Sequence, residues 1–218
     1  MTKVNDEYDS QASSYDNFIR KLVPGYDFFI SVTPLLMNNP TSVLDLGCGT
    51  GNSSAGIKNL YADAKLTCVD TSQEMLKIAE SRIEGNFIQS NIEDFQPKQK
   101  FDAVISTMVM HNVQAIEKRQ SVYKMISDSL NPGGVYFTSD IIVGENDITY
   151  SLYIKMWRNF MLNNLTEEEV DGKWLPLHKE KDKPLTLSKQ IEMISRAGFK
   201  SIEIINKNIN FVMIAAFK

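Results

Sequence analysis

The chain has 218 residues, 43% of them apolar and 23% charged, the balance of one globular domain, which excludes wholesale disorder and fibrous repeats. Its 27 acidic and 23 basic residues give a net charge of −4, against the surplus of Lys and Arg that a general nucleic-acid sleeve requires. Two cysteines, Cys48 and Cys68, and two histidines are too few and too scattered to predict a disulfide framework or a zinc centre.

Met1–Ser14 is polar and acidic and carries no leader signature, which predicts a cytoplasmic protein. Tyr8, Tyr15, Phe18, Tyr26, Phe28 and Phe29 stud the start of the chain. Phe18, Ile19 and Leu22 have helical spacing, Pro24-Gly25 breaks that helix, and a second apolar-periodic run covers Tyr26–Met37. Residues 1–40 are therefore expected to form a helical cap. Ser42–Leu46 then reads as a buried strand, Asn52–Leu60 as a helix, Lys65–Asp70 as a strand and Gln73–Ile83 as a helix behind the N-cap candidates Thr71 and Ser72. Phe87-Ile88 and Phe101–Thr107 read as strands, Ile116–Leu130 as a helix, Asn131–Gly134 as a turn and Val135–Val143 as a strand. This alternation predicts a parallel sheet with helices on both faces.

From about residue 146 to 184 the pattern loosens into an insertion within the core of 41–218. It holds a helix over Ile148–Leu162 and a charged stretch, Lys173–Lys183, that reads as a solvated loop with His178 exposed. Leu187–Ala197 is a helix ended by Gly198. Ser201–Asn206 and Ile209–Phe217 are strands around a hairpin turn at Lys207-Asn208. Phe211–Phe217, an apolar run near the end, is far too short to span a membrane.

Gly47-Cys-Gly-Thr-Gly51 lies between a strand and a helix, where glycine permits a sharp turn and close approach of a ligand to the backbone. A tight βα turn is the plain alternative. Asp70 closes the next strand, where a carboxylate accepts both hydroxyls of a ribose, or else caps a helix. The spacing is G-x-G-x-G and not the G-x-G-x-x-G of a dinucleotide site, with Asn52 in place of the third glycine. Asp45 at the mouth would repel a pyrophosphate and suit an ammonium, so the combination favours S-adenosylmethionine over a nicotinamide dinucleotide.

Val43–Gly51 closely resembles motif I of the class I S-adenosylmethionine-dependent methyltransferases. Val69–Leu76 is similar to their second-strand motif, Gln89–Phe95 to the segment that holds the adenine, Phe101–Thr107 to the fourth-strand motif and Leu130–Gly134 to the turn before strand five. Ser90 and Asn91 stand where Gly and Asp are usual; an Asn amide still presents a carbonyl to the adenine amino group. The resemblance implies a seven-strand sheet of order 3-2-1-4-5-7-6 with the last strand antiparallel. It implies S-adenosylmethionine as cofactor, held by Tyr26, Asp45, Gly47, Gly49, Gly51, Asp70, Thr71, Met75, Asn91, Ile92 and Thr107, and no metal. Ile19–Tyr26 together with Leu130–Gly134 and Arg196–Phe199 also resembles the carboxy-S-adenosylmethionine synthase branch, which acts in tRNA wobble-uridine modification. There the tyrosine of Pro-Gly-Tyr, here Tyr26, contacts the methionine carboxylate. That branch also uses an arginine in the insertion, and here none occurs between Arg158 and Arg196.

Methyl transfer from a sulfonium is an in-line displacement that needs positioning more than acid–base chemistry. His111, just after the fourth strand, is the candidate base, with a hydrogen-bonded structural histidine as the alternative. Asp140 is a candidate for an amine substrate or a cap. Tyr15, Tyr153 and Trp157 are candidates for lining the acceptor pocket, or for packing the cap against the insertion. The expected function is methyl transfer to O, N or C of a small molecule, by a monomer or homodimer, with no membrane partner and no general nucleic-acid binding, tRNA alone staying open as a nucleic-acid partner. The alternatives are a tRNA-modification enzyme of the carboxy-S-adenosylmethionine type and a cofactor-binding subunit that needs a second protein for turnover.

Overall fold

The computed structural model describes residues 9, 10 and 12–218; Tyr8 lies outside them. Two helices, α1 (Tyr15–Leu22) and α2 (Tyr26–Leu35), precede the sheet. Gly25 separates them with φ 85°, a left-handed conformation that glycine adopts without strain. Seven strands follow in the order β3-β2-β1-β4-β5-β7-β6. They are β1 (Ser42–Leu46), β2 (Lys65–Asp70), β3 (Asn86–Gln89), β4 (Phe101–Thr107), β5 (Leu130–Ile141), β6 (Ser201–Asn208) and β7 (Phe211–Phe217). β1 to β5 run parallel, and β7 pairs antiparallel with both β5 and β6.

Crossover helices α3 (Asn52–Leu60), α4 (Gln73–Arg82) and α5 (Ile116–Ser129) join the parallel strands, and α8 (Leu187–Arg196) leads into β6. The period of two along each strand divides the core between the two faces. Val43, Cys68, Ala103 and Phe137 join Ile57 and Phe29 on one side. Leu44, Leu46, Val69 and Val104 join Ile126 and Ile194 on the other. Among the described residues no helix is long and apolar enough to cross a membrane.

Three stretches differ from expectation. β5 begins at Leu130, which pairs with Phe101 before the register shifts between Phe101 and Ala103, so the predicted turn Asn131–Gly134 is a bulged start of the strand. The hairpin turn lies at Ile209-Asn210 and not at Lys207-Asn208, because β6 carries an irregularity between Ile204 and Asn206 and stays paired up to Asn208↔Phe211. Ile209 adopts φ 55° there, and its carbonyl accepts from Lys207 Nζ at 2.7 Å.

The third difference is the insertion. After α6 (Asp147–Met161) a single turn, Glu167–Glu169, starts on a reciprocal capping box of Thr166 and Glu169. It continues as a π-helical turn, Val170–Trp174, and as α7 (Leu175–Lys181). The predicted solvated loop is therefore helical. His178 is buried, because its ring edge meets Trp157, with centroids 5.0 Å apart and planes at 89°.

Candidate active site

The site grows from the carboxyl end of β1. Asp45 is buried on the face that turns toward α3, and its Oδ2 accepts from Ser54 Oγ at 2.7 Å. Burial, opposed by the Ser54 hydroxyl and reinforced by Asp70, pushes this carboxyl up to about 7. The chain then turns through the glycine loop. The Gly47 and Cys48 amides both donate to the Val69 carbonyl, at 2.7 and 3.1 Å, which ties the loop to the end of β2.

Gly47 has φ 70°, and a Cβ there would stand 2.4 Å from a Val109 methyl carbon, so only glycine fits. Gly49 has φ 53° but meets nothing within 4 Å; its open side faces space that a ligand can use. Gly47→Ala is expected to cost about 1–3 kcal/mol of folding stability through strain and overpacking against Val109. Urea denaturation measures this, and an unchanged midpoint would contradict it.

Asp70 links the loop to the next helix. Its Oδ2 accepts from the Gly49 amide at 2.8 Å, and its Oδ1 accepts from the Ser72 amide at 2.9 Å. Burial pushes its carboxyl up against the opposing donation from Ser72, Gly49 and Thr71. Ser72 caps α4 by accepting from the Met75 amide at 3.1 Å, which buries Met75 in the first turn. Asp9 in turn accepts from the Ser72 hydroxyl and from the Glu74 amide.

The N-terminal helices are bolted onto this corner. Asp16 Oδ1 accepts from Thr50 Oγ1 at 2.6 Å and from Asn52 Nδ2 at 2.7 Å, and Asp16 Oδ2 pairs with Arg82 at 2.7 Å. Burial pushes the Asp16 carboxyl up, but donation from Thr50, Asn52 and Arg82 prevails and holds it below its ordinary value. Asn52 also donates to the Tyr26 hydroxyl at 3.3 Å.

A cleft opens beside the loop, walled by Tyr15, Tyr26, Asp45, Gly47, Cys48, Gly49, Thr50, Asn52, Ser53 and Thr107. Ser53 Oγ and Thr107 Oγ1 share a hydrogen bond of 3.0 Å across its floor. Of the residues singled out in the sequence, Tyr15, Tyr26, Asp45, Gly47, Gly49 and Thr107 thus share one wall, with Asp70 bonded to its rim. Gly51 closes the loop by donating to the Cys48 carbonyl at 2.9 Å. Asn91 is exposed after β3, its Oδ1 accepting from the Glu93 amide at 3.0 Å, while Ile92 beside it is buried.

The acceptor-side candidates group differently. Asp140 is buried at the end of β5, and its carboxylate takes His111 Nδ1 at 2.5 Å and the His111 amide at 2.9 Å. Burial depresses the His111 imidazole, but the Asp140 charge and bond, helped by Asp182, raise it above its ordinary value overall. Tyr153 lies under the Lys207 ammonium, 4.4 Å from its ring centroid. Trp157 is interior: its Nε1 donates to the Leu22 carbonyl at 2.6 Å and its ring meets Phe211. Neither residue is on the cleft wall. Sequence reasoning missed Asp16, Ser53 and Asp182, whose roles arise from contacts distant in the chain.

A family model described as a methyltransferase domain matches residues 43–134. The carboxy-S-adenosyl-L-methionine synthase of Campylobacter jejuni is 30% identical over 223 residues, covering 97% of this chain and 94% of that protein. The chain belongs to the class I S-adenosylmethionine-dependent methyltransferases. S-adenosylmethionine is the cofactor of this methyltransferase family, and the chain is an enzyme. A second relative, the carboxy-S-adenosyl-L-methionine synthase of Staphylococcus epidermidis, is 29% identical over 95% of this chain and 93% of its own length. Among solved structures, the methyltransferase's fold is shared by the plantazolicin methyltransferase BpumL in complex with a monoazolic desmethylPZN analog and SAH, at TM-score 0.67 and 16% identity over 99% of this chain and 89% of that one. An O-methyltransferase-like protein of Nostoc punctiforme superposes at TM-score 0.68 and 15% identity over 97% of this chain and 60% of that one.

Proposed function

We propose that this methyltransferase moves a methyl group from S-adenosylmethionine to an oxygen, nitrogen or carbon atom of a small molecule. The observation that carries the proposal is the cleft over Gly49, whose wall residue Thr107 pairs in the sheet with Ser139, next to Asp140. The cofactor end and the acceptor end are thereby built on neighbouring strand termini, where open α/β sheets bind ligands.

The bound sulfonium supplies an electrophilic methyl with a good leaving group. The chain supplies grip, orientation and exclusion of water. Asp70 faces the ribose hydroxyls, with Gly51 and Thr71 shaping the corner around it. Met75, Asn91 and Ile92 flank the adenine, Asn91 through an amide carbonyl. Asp45 and Tyr26 take the amino-acid end, and Tyr15 and Thr107 bound the methyl. The insertion at about 146–184 and the part of the helical cap over residues 12–40 form a lid over the acceptor, with Tyr153 on it and Trp157 pinning it from within. Asp140 orients His111, which takes up the proton when the accepting atom carries one. The working unit is a monomer or homodimer acting in the cytoplasm on a small-molecule acceptor.

Donor labelled in its methyl group, incubated with fractionated metabolites, is expected to give S-adenosylhomocysteine and a labelled product. Cofactor binding with no turnover in any fraction would overturn the proposal, and turnover only after adding a second protein would mark the chain as a partner subunit.

Asp45 makes cofactor binding depend on pH. An ammonium beside it favours the ionised form, so affinity for S-adenosylhomocysteine is expected to rise as pH passes through the carboxyl's raised value near 7 and then level off. The change between pH 6 and pH 8 is about tenfold. The sign for folding of the free chain is opposite. A carboxyl raised above its unfolded value of about 4 contributes stability that is present below that pH and lost as pH climbs toward the folded value. Calorimetry across this range tests the binding prediction, and a flat affinity would contradict it.

A second reading is a carboxy-S-adenosylmethionine synthase, favoured by 29–30% identity over nearly the whole length of relatives so named. The placement of Tyr26 in the cleft wall supports it. Against it, the insertion has no arginine beyond Arg158, whose guanidinium is taken by Asp171 and Glu167, and lysine lacks the planar fork that grips a carboxylate. The mass of the co-purified ligand decides: an added carboxylate favours this second reading, whereas plain donor or product favours methyl transfer.

A further inference from the structure

The only two histidines of the chain belong to one network. It begins at Asp140 on β5, which holds His111 Nδ1 at 2.5 Å. On the other side of the ring, His111 Nε2 stands 3.9 Å from Asp182 Oδ1. Asp182 Oδ2 is held in turn by His178 Nδ1 at 2.8 Å, and His178 lies edge-on to Trp157. Asp182 and His178 come from the end of the insertion, whereas Asp140 comes from β5 and His111 from the 3-10 turn Met110–Asn112 that follows β4. Backbone bonds fix the same junction: the Lys183 amide donates to the His111 carbonyl at 2.9 Å, and Arg119 Nη2 donates to the Lys183 carbonyl at 2.8 Å. Gln114 Nε2 donates to the Lys181 carbonyl at 2.9 Å.

We propose that Asp182 and His178 are positioning residues of the acceptor site: His178 holds Asp182, and Asp182 faces the free edge of His111 opposite Asp140, so the insertion completes the setting of that imidazole when it is seated. This rests on the assignment of His111 to the acceptor side. The charged groups that face His111 are Asp140 from β5, Asp182 from the end of the insertion and Arg119 from α5; the two acids raise its proton affinity and Arg119 lowers it. Removing the Asp182 charge therefore weakens proton binding at His111, whereas a merely structural bond would loosen the insertion without moving that titration.

With only two histidines, ring resonances in a nuclear magnetic resonance titration resolve each one. The experiment uses the full chain with S-adenosylhomocysteine present. In Asp182→Asn the His111 midpoint is expected to fall by about half a pH unit, roughly threefold in proton affinity, and Asp182→Glu is expected to restore it. Should Asp182→Asn fail to fold, Asp182→Ser carries the same test, since it removes the same charge with a smaller side chain and shifts the midpoint in the same direction. A His111 midpoint within about 0.2 units of the parent in the folded variant would overturn the proposal. The titration needs no acceptor, so it stands apart from turnover. Full activity in His111→Gln would remove the proton-accepting role and leave the network itself measurable.

Discussion

Asp70→Ala is expected to weaken S-adenosylhomocysteine binding by about 1.5–3 kcal/mol, roughly ten- to 150-fold, the usual worth of hydrogen bonds to a charged group. The carboxylate ends β2 with both oxygens already fixed by the Gly49 and Ser72 amides, so it is preorganised. Truncation removes the carboxylate proposed to accept the ribose hydroxyls and also frees the Gly49 amide, which loosens the open point of the glycine loop. Asp70→Asn separates the two effects. Its amide keeps a carbonyl for one backbone donor but loses the charge, so it is expected to fall between the parent and alanine. Isothermal calorimetry measures the series, and an unchanged dissociation constant in Asp70→Ala would contradict the ribose assignment.

Trp157→Ala is expected to cost about 3–5 kcal/mol of folding stability, as large-to-small changes of buried aromatic residues do. The indole lies where α1, α6, α7 and β7 meet, with Leu22, His178 and Phe211 as its neighbours. Deleting it leaves a cavity under the insertion and an unpaired carbonyl at the end of α1. Trp157→Phe keeps most of the apolar contact and loses the Nε1 bond, a loss of about 1 kcal/mol for the bond alone. Chemical denaturation of both variants tests the pair. A cost below about 1 kcal/mol in alanine would show that the insertion does not depend on this anchor.

What the sequence displayed and what it hid follow from the range of the interactions. The β1–loop–α3–β2 unit was legible because its determinants are local: strand alternation, three glycines in a short span and an acid closing the next strand. The sheet order came with the resemblance, and β7 does run antiparallel to β5. Asp16 was not legible, because its partners Thr50, Asn52 and Arg82 lie far along the chain, and nothing about an acid in a helix announces them. Lys173–Lys183 read as solvated because lysines and acids interleave there. Its helical state comes from His178 and Val170 being drawn into the interior, which charge patterning does not register. The hairpin turn was displaced by an irregularity in β6 that leaves no mark in residue type.

The proposed function requires that the first βα corner, closed by Asp70, grip the adenosyl ligand. A crystal structure with S-adenosylhomocysteine tests it most directly. Density for the adenosine over Gly49, with the ribose hydroxyls on the Asp70 carboxylate and the ammonium beside Asp45, is the predicted result. Ligand density away from this corner, or a corner that accepts a nicotinamide dinucleotide in its place, would contradict the account.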